Sequence, residues 1–311
     1  MVKYLVTGGA GFIGSHIVEV LTRQGQHVRV LDNLSTGNRA NIEPFSEMVE
    51  FIEGDLRDAA SVRRATEGIE VIFHEGALAS VSRSVEDPKS THDVCATGTL
   101  NVLEAARAGR VRRVVYAASS SAYGDAFEPP NREDQTPNPL SPYAAAKLTG
   151  EYYCSVFSHV YGLETVRLRY FNVFGPRQDP ASPYSAVIPL FIRAMLAGKS
   201  PTVHGDGNQS RDFTYVENVV HANLLAADSK AAAGKLYNVA TQGRASLLDL
   251  IAMMNRILGT NIVPRHDAPR PGDVRHSQAD ISRARADLGY APQVDLEEGL
   301  RRAVEHYRSA P

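Results

Sequence analysis

The stretch Thr7-Gly8-Gly9-Ala10-Gly11-Phe12-Ile13-Gly14 constrains the fold more than any other part of the chain. Residues 3–7 before it read as a strand, and residues 13–24 after it repeat apolar side chains at helical spacing. Glycines at 8, 11 and 14 remove the side chains that would block a tight strand-to-helix turn. They also let the N–H groups and partial positive charge of a helix N-terminus close on a pyrophosphate. Glycine trios occur in many turns, but the strand before and the helix after make this one a dinucleotide signal. Gly8, Gly11, Phe12, Ile13 and Gly14 are therefore assigned to a cofactor site.

The same alternation continues through the first half. Strands are predicted at 3–7, 28–31, 49–53, 71–73, 113–117 and 164–169, with helices at 13–24, 59–67, 97–108 and 142–161. Such alternation implies an α/β fold with a doubly wound parallel sheet of Rossmann type, its ligand crevice at the carboxyl ends of the strands. After Tyr170 the rhythm breaks, with prolines at 176, 180, 183 and 189 and again at 264, 269 and 271. Residues 1–170 are read as the cofactor domain and 171–311 as a smaller C-terminal substrate lobe, interleaved so that some segments return to the sheet. Within that lobe, helices are predicted at 246–258 and 296–308, and short strands at 202–204 and 237–239.

Composition narrows the partners. With 311 residues and a formal net charge of -2, the chain has no basic field for nucleic acid, so an anionic ligand must be held by local groups. Cys95 and Cys154 have neither metal-type nor disulfide-type spacing, which predicts no metal and a reducing compartment. No cationic and apolar leader and no membrane-length apolar run are visible, so a cytoplasmic location is expected.

The second strand ends at Leu31-Asp32-Asn33. An acidic residue about 20 positions past the glycines accepts hydrogen bonds from the adenosine ribose. Its charge also repels a 2′-phosphate, so Asp32 favours NAD over NADP. Asp55-Leu56, after the third strand, is placed to meet the adenine, although Asp55 would equally suit the cap of the next helix.

Chemistry enters with Ser141-Pro142-Tyr143-Ala144-Ala145-Ala146-Lys147. Pro142 suits a first helical turn, and Tyr143 and Lys147 then share one face at i and i+4. A free phenol is a poor base at neutral pH, and a neighbouring ammonium with a positive nicotinamide lowers its pKa. Tyr143 is thereby predicted to be a general base for an alcohol proton, with Lys147 reaching the nicotinamide ribose. Tyr and Lys four apart are common on amphipathic helices, and serine-rich loops are common too. The order of glycines, strand-end aspartate, Ser119-Ser120-Ser121 at the end of the fifth strand, and the Tyr/Lys pair is what gives them meaning.

On these motifs the chain resembles the extended short-chain dehydrogenase/reductase family along nearly its whole length, and within it the UDP-galactose and UDP-N-acetylglucosamine 4-epimerases. The resemblance implies bound NAD, and Ser119, Tyr143 and Lys147 as the catalytic triad. Asn33, Ser35, Gly37, Ala77 and Tyr170 complete the cofactor set, together with Tyr143 and Lys147. It places Asn172, within Arg169–Gly175, on the nucleotide sugar, and the 184–189 stretch containing Val187 on the uracil. His204 and Arg211 fall in a diphosphate region, and Arg270 supplies a second guanidinium; planar forks of this kind match phosphate geometry. Asp273 and Ser277 mark the edge of the sugar pocket, with Ser120 and Ser121 opposite the catalytic serine. A homodimer paired through helices 97–108 and 142–161 is expected on the same ground.

Two positions depart from the pattern. Cys95 stands where many members carry asparagine and reads as a small buried residue. Glu75, in His74-Glu75-Gly76-Ala77, is a charge at a strand end and predicts an arginine partner. Ser277 stands where some epimerases carry tyrosine, which implies room for a 2-acetamido group, so both UDP-glucose and UDP-N-acetylglucosamine are expected to fit. A 4,6-dehydratase is disfavoured because Ser120-Ser121 replace its Asp-Glu acid pair. A UDP-glucuronate 4-epimerase or decarboxylase stays open. A non-catalytic NAD-binding sensor would be marked by loss of the Tyr/Lys pair, which is present.

Overall fold

The computed structural model describes residues 3–125, 129–179, 186–268 and 275–309. In the first half, β1 (Tyr4–Thr7), β2 (Val28–Asp32), β3 (Val49–Glu53), β4 (Val71–His74), β5 (Arg113–Ser119) and β6 (Glu164–Tyr170) follow one another with helices between. The second half adds β7 (Val173–Phe174), β8 (Thr202–His204), β9 (Ser210–Arg211), β10 (Thr214–Tyr215), β11 (Leu236–Val239), β12 (Ala245–Ser246) and β13 (Arg265–Asp267). Seven of these form one sheet in the order β11-β6-β5-β4-β1-β2-β3, with every pair parallel. The order reverses next to β1, which puts a crevice at the carboxyl ends of β1 and β4.

The helices are α1 (Phe12–Arg23), α2 (Ala59–Thr66), α3 (Val81–Glu86), α4 (Pro88–His92), α5 (Gly98–Ala108) and α6 (Pro142–Tyr161), then α7 (Val187–Leu196), α8 (Val216–Asp228), α9 (Leu247–Leu258), α10 (Ser282–Leu288) and α11 (Leu296–Ser309). Strand periodicity sorts the core into two layers. Val6, Val30, Phe73, Val115 and Val166 face one layer with Ile17 of α1 and Val219 of α8. Leu5, Leu31, Ile72 and Val114 face the other, with Val62 of α2, Val102 of α5 and Phe157 of α6. Because both faces are covered, the strands read as continuous apolar runs and not as alternating ones.

The second half of the chain divides between two places. Its β11 extends the sheet beside β6, and α8 packs on the same layer as α1. Helices α7, α9 and α11 instead gather with Phe174 and Tyr215 around a separate apolar cluster. The strand predicted at 237–239 thus joins the main sheet. The helix predicted at 97–108 begins at Gly98 and is preceded by a π-helical turn, Asp93–Thr97, with Cys95 buried inside it.

Candidate functional site

A cavity of about 690 Å³ lies where β1, β2 and β4 end. Gly8 there has a φ of 67°, and a Cβ on it would lie 2.7 Å from the Gly76 backbone. A Cβ on Gly14 would stand 2.2 Å from the Gly8 carbonyl oxygen, so α1 can approach the turn only with glycine there. No side chain caps α1 at Gly11, which leaves its first N–H groups for a ligand. Phe12 and Ile13, the first residues of α1, line the same space.

Asp32 also lines the cavity, and its carboxylate accepts from Ala10 N–H at 3.0 Å and Leu34 N–H at 2.8 Å. Burial raises its pKa above the ordinary carboxylate value, while both backbone bonds act to lower it. Gly37 is not on the wall; a Cβ there would lie 3.0 Å from both Asp32 carboxylate oxygens, so it packs against the carboxylate. Asn33 donates to Asp55 at 2.9 Å, and the Arg57 fork, at 2.9 and 2.7 Å, holds the Asp55 carboxyl well below its usual range. Asp55 does not cap α2: Asp58 does, accepting from Ala60 N–H. Ser35, Leu56 and Ala77 complete the predicted wall residues.

Ser141 caps α6 by accepting from Ala144 N–H at 3.1 Å, and Pro142 starts the helix. One turn of α6 separates Tyr143 from Lys147. Ser119 ends β5, accepts Ser121 N–H at 3.2 Å, and lies 2.8 Å from the Ser121 hydroxyl, with Ser120 opening the short 3-10 turn that follows. The Ser119 hydroxyl lies near enough to the Tyr143 phenol to favour its ionised form. The structure therefore brings the three predicted catalytic residues to one place, at the ends of β5 and α6.

Their electrostatics correct one expectation. Burial, followed by the nearby Cys95, pushes the Tyr143 phenol up, and the Ser119 hydroxyl works against that rise. Lys147 is 3% exposed, and burial lowers its pKa. Its ammonium lies 4.5 Å from the centre of the Tyr116 ring, and the Tyr116 hydroxyl donates to the Lys147 carbonyl at 3.0 Å. The lysine thus rests on an aromatic face and does not by itself lower the tyrosine. Without a positive ligand, desolvation wins.

Glu75 also departs from its predicted partner. Among the described residues no arginine meets it; the Tyr170 hydroxyl donates to its carboxyl at 2.8 Å and in turn accepts from Asn223 at 2.8 Å. Burial pushes Glu75 up to about 7. Glu75 is on the cavity wall, whereas Tyr143, Lys147 and Tyr170 are not.

In the second half, Asn172 adopts a φ of 35° and reaches the Ser277 hydroxyl at 3.3 Å and the Asp212 carbonyl at 3.4 Å. Ser277 N–H donates to the Ser210 carbonyl at 3.0 Å, and Arg211 donates to the carbonyls of Ser210 and Arg275 at 2.9 and 3.1 Å. Asn172, Arg211 and Ser277 accordingly meet around β9. His204 ends β8, with its ring 3.1 Å from the Ala268 carbonyl, and Val187 begins α7. Arg270 and Asp273, with Tyr184 and Ser185, lie outside the described residues. Sequence reasoning missed Ser80 and Arg83 on the cavity wall, and Ala186, also on that wall, falls in the stretch it assigned to the uracil. Only Ser80 carried a signal, as the cap of α3.

Known proteins extend the likeness. Residues 4–240 match the model of the NAD dependent epimerase/dehydratase family. A UDP-glucose 4-epimerase of Mycolicibacterium smegmatis is 40% identical over 311 residues, 99% of each chain. A UDP-N-acetylglucosamine 4-epimerase from Methanobrevibacter ruminantium, solved with UDP-N-acetylmuramic acid, superposes with a TM-score of 0.94 at 40% identity, covering 99% of this chain and 98% of that one. A Thermus thermophilus UDP-glucose 4-epimerase in complex with NAD gives a TM-score of 0.91 at 39% identity, covering 99% and 100%. The glycine turn that admits a pyrophosphate fits a dinucleotide, and the family match spans the whole of that half. The chain belongs to the NAD-dependent epimerase/dehydratase family, and NAD is its cofactor.

Proposed function

We propose that the protein interconverts UDP-hexoses at sugar carbon 4, taking UDP-glucose and UDP-galactose and also their 2-acetamido counterparts. The observation that carries this reading is the meeting of Ser119, at the end of β5, with Tyr143 and Lys147 on one turn of α6, both within electrostatic reach of Glu75 on the dinucleotide cavity wall. NAD, when bound, supplies the hydride acceptor for carbon 4 and the means of returning the hydride. Tyr143 takes the 4-hydroxyl proton and later gives it back, and Ser119 orients that hydroxyl and the developing carbonyl. The positive nicotinamide of bound NAD would supply the charge that favours the phenolate, and Lys147 is assigned to the ribose.

Gly8, Gly11 and Gly14 admit the pyrophosphate, Asp32 and Asn33 the adenosine ribose, and Asp55 and Leu56 the adenine. Asn172, His204, Arg211 and Val187 are assigned to the UDP moiety. Ser277, small and close to Asn172, leaves space at the sugar's carbon 2. The division into a cofactor unit through residue 170 and a substrate unit after it is proposed on the same assignment.

A homodimer is proposed through α6 together with α3. Tyr152, Val156 and Val160 repeat every four residues on α6 at 57%, 48% and 59% exposure, beside Val81 and Val85 of α3. Such an apolar surface calls for a partner. Among the described residues, α5 carries no large exposed apolar side chain, which moves the expected contact from helix 97–108 toward α3.

The test is mass spectrometry of the nucleotide released from purified protein, followed by incubation with UDP-glucose, UDP-N-acetylglucosamine and UDP-glucuronate. Release of NAD, and conversion of each of the first two sugars into its own 4-epimer, are expected. An NAD-loaded protein that epimerises neither would end the proposal.

A further inference from the structure

His74 and Glu75 leave β4 on opposite sides of the sheet. His74 bonds Thr99 of α5 at 3.0 Å, on the layer that also holds α6. Glu75 turns to the other layer, where it accepts from Tyr170, which is itself held by Asn223 of α8. Although they come from different layers, Glu75 interacts electrostatically with both Lys147 and Tyr143. It is also the one charged group of this set on the cavity wall. Tyr170 occupies a single carboxyl oxygen, and the other has no hydrogen bond among the described residues.

We propose that Glu75 is the counter-charge of the oxidised nicotinamide ring, and that it sets the preference of this site for oxidised over reduced cofactor. The proposal rests on NAD binding and on the placing of its nicotinamide end beside Tyr143, as in the function argued above. A carboxylate and a positive ring in a water-poor site attract strongly, and the same carboxylate gains nothing from a neutral ring. Glu75 therefore ionises when the oxidised form binds and takes a proton when the reduced form binds. The groups facing it are the Lys147 ammonium, which favours ionisation, and the Tyr143 phenol of the same helix. The Tyr170 hydroxyl of β6 donates to the carboxyl and so also favours ionisation. Asn223 of α8 is neutral, and Cys95 and His74 are buried, the thiol pushed up and the imidazole pushed down, so both stay uncharged near neutrality. With the cavity free of ligand, burial holds the carboxyl near neutrality at about 7, so a modest nearby charge decides its state.

This explains a charge at a strand end that has no ion-pair partner among the described residues. It also gives a binding readout that needs no sugar. The experiment strips the bound nucleotide and measures dissociation constants of NAD and NADH between pH 6 and 9, by calorimetry and NADH fluorescence. In the wild-type protein, NAD affinity is expected to rise about tenfold across the titration of Glu75, while NADH affinity stays flat or falls. Glu75→Gln should remove that pH step and shift the NAD/NADH affinity ratio about tenfold toward NADH, with NADH binding serving as the control for folding. Tyr170→Phe, which keeps the carboxyl but removes its donor, should move the step to higher pH. An unchanged ratio in Glu75→Gln, or an unmoved step in Tyr170→Phe if the first variant fails to fold, overturns the proposal. A protein that shows the step yet epimerises no UDP-sugar refutes the epimerase reading alone.

Discussion

The Lys147 ammonium lies 4.5 Å above the Tyr116 ring, while the Tyr116 hydroxyl holds the carbonyl of that same lysine at 3.0 Å. One aromatic residue of β5 thus fixes both ends of the lysine. Replacing Tyr116 by Phe keeps the ring and deletes the hydrogen bond, so a stability loss of about 1 kcal/mol is expected, with turnover nearly intact. Tyr116→Leu removes the ring as well, and kcat should fall about fivefold to tenfold as the ammonium loses its aromatic face. Denaturant midpoints and kcat on UDP-glucose check the two; equal kcat in both variants would show that the ring is idle.

Tyr143→Phe should cut kcat by about 10²–10⁴, the usual worth of a positioned base, and leave NAD bound. Because burial pushes the phenol up, the acid limb of kcat/KM should extend to higher pH than a simple cationic pairing would give. Only the deprotonated phenol accepts the proton, so activity rises with pH along that limb. The measurement is the pH–rate profile with the 260/280 nm absorbance ratio; full activity in the variant would remove Tyr143 from its role.

Ser277→Tyr should close the space beside Asn172. Turnover of UDP-N-acetylglucosamine is expected to drop at least about tenfold more than that of UDP-glucose. Parallel assays on both sugars decide the matter, and equal losses would place carbon 2 elsewhere.

His74 gives a pH dependence of stability. Its ring is bonded to Thr7 at 2.7 Å and to Thr99 at 3.0 Å, and burial pushes it down to about 3. An unfolded imidazole titrates near about 6.5, so the unfolded chain binds the extra proton first. The stabilisation from neutral His74 is complete above that value and is lost as pH falls toward the folded one. From pH 7 to pH 5 the loss is about 2 kcal/mol. Urea midpoints of wild type and His74→Gln at both pH values isolate this contribution. The variant should lose about 2 kcal/mol less than wild type over that interval, and equal losses would falsify the assignment.

The sheet was legible because its strands are buried on both faces and its turns carry glycine. Six strand positions and α6 follow directly from apolar runs and the Ser141-Pro142 start. The site was legible where geometry is local, as in the glycine turn, or where a strand end fixes it, as at Ser119. Elements that depend on distant partners were not. Helix α8 carries Asn218 and Asn223, fully buried polar residues that blur its apolar face, and their partners Val294 and Tyr170 are remote in sequence. Likewise, nothing near Glu75 announces Tyr170, and nothing near Lys147 announces that the Tyr116 ring takes its charge. Local spacing brought Tyr143 and Lys147 onto one turn but did not show which ring the lysine rests on.

Gly150 lies against the Tyr116 hydroxyl so closely that a methyl group there would stand 2.2 Å from the phenol oxygen. Helix α6 is therefore seated on β5 without clearance, three residues beyond the lysine. Any side chain at 150 would lever the helix off its bearing and tilt Tyr143 and Lys147 together, so the reactive pair shares one rigid mount whose fit depends on a missing carbon.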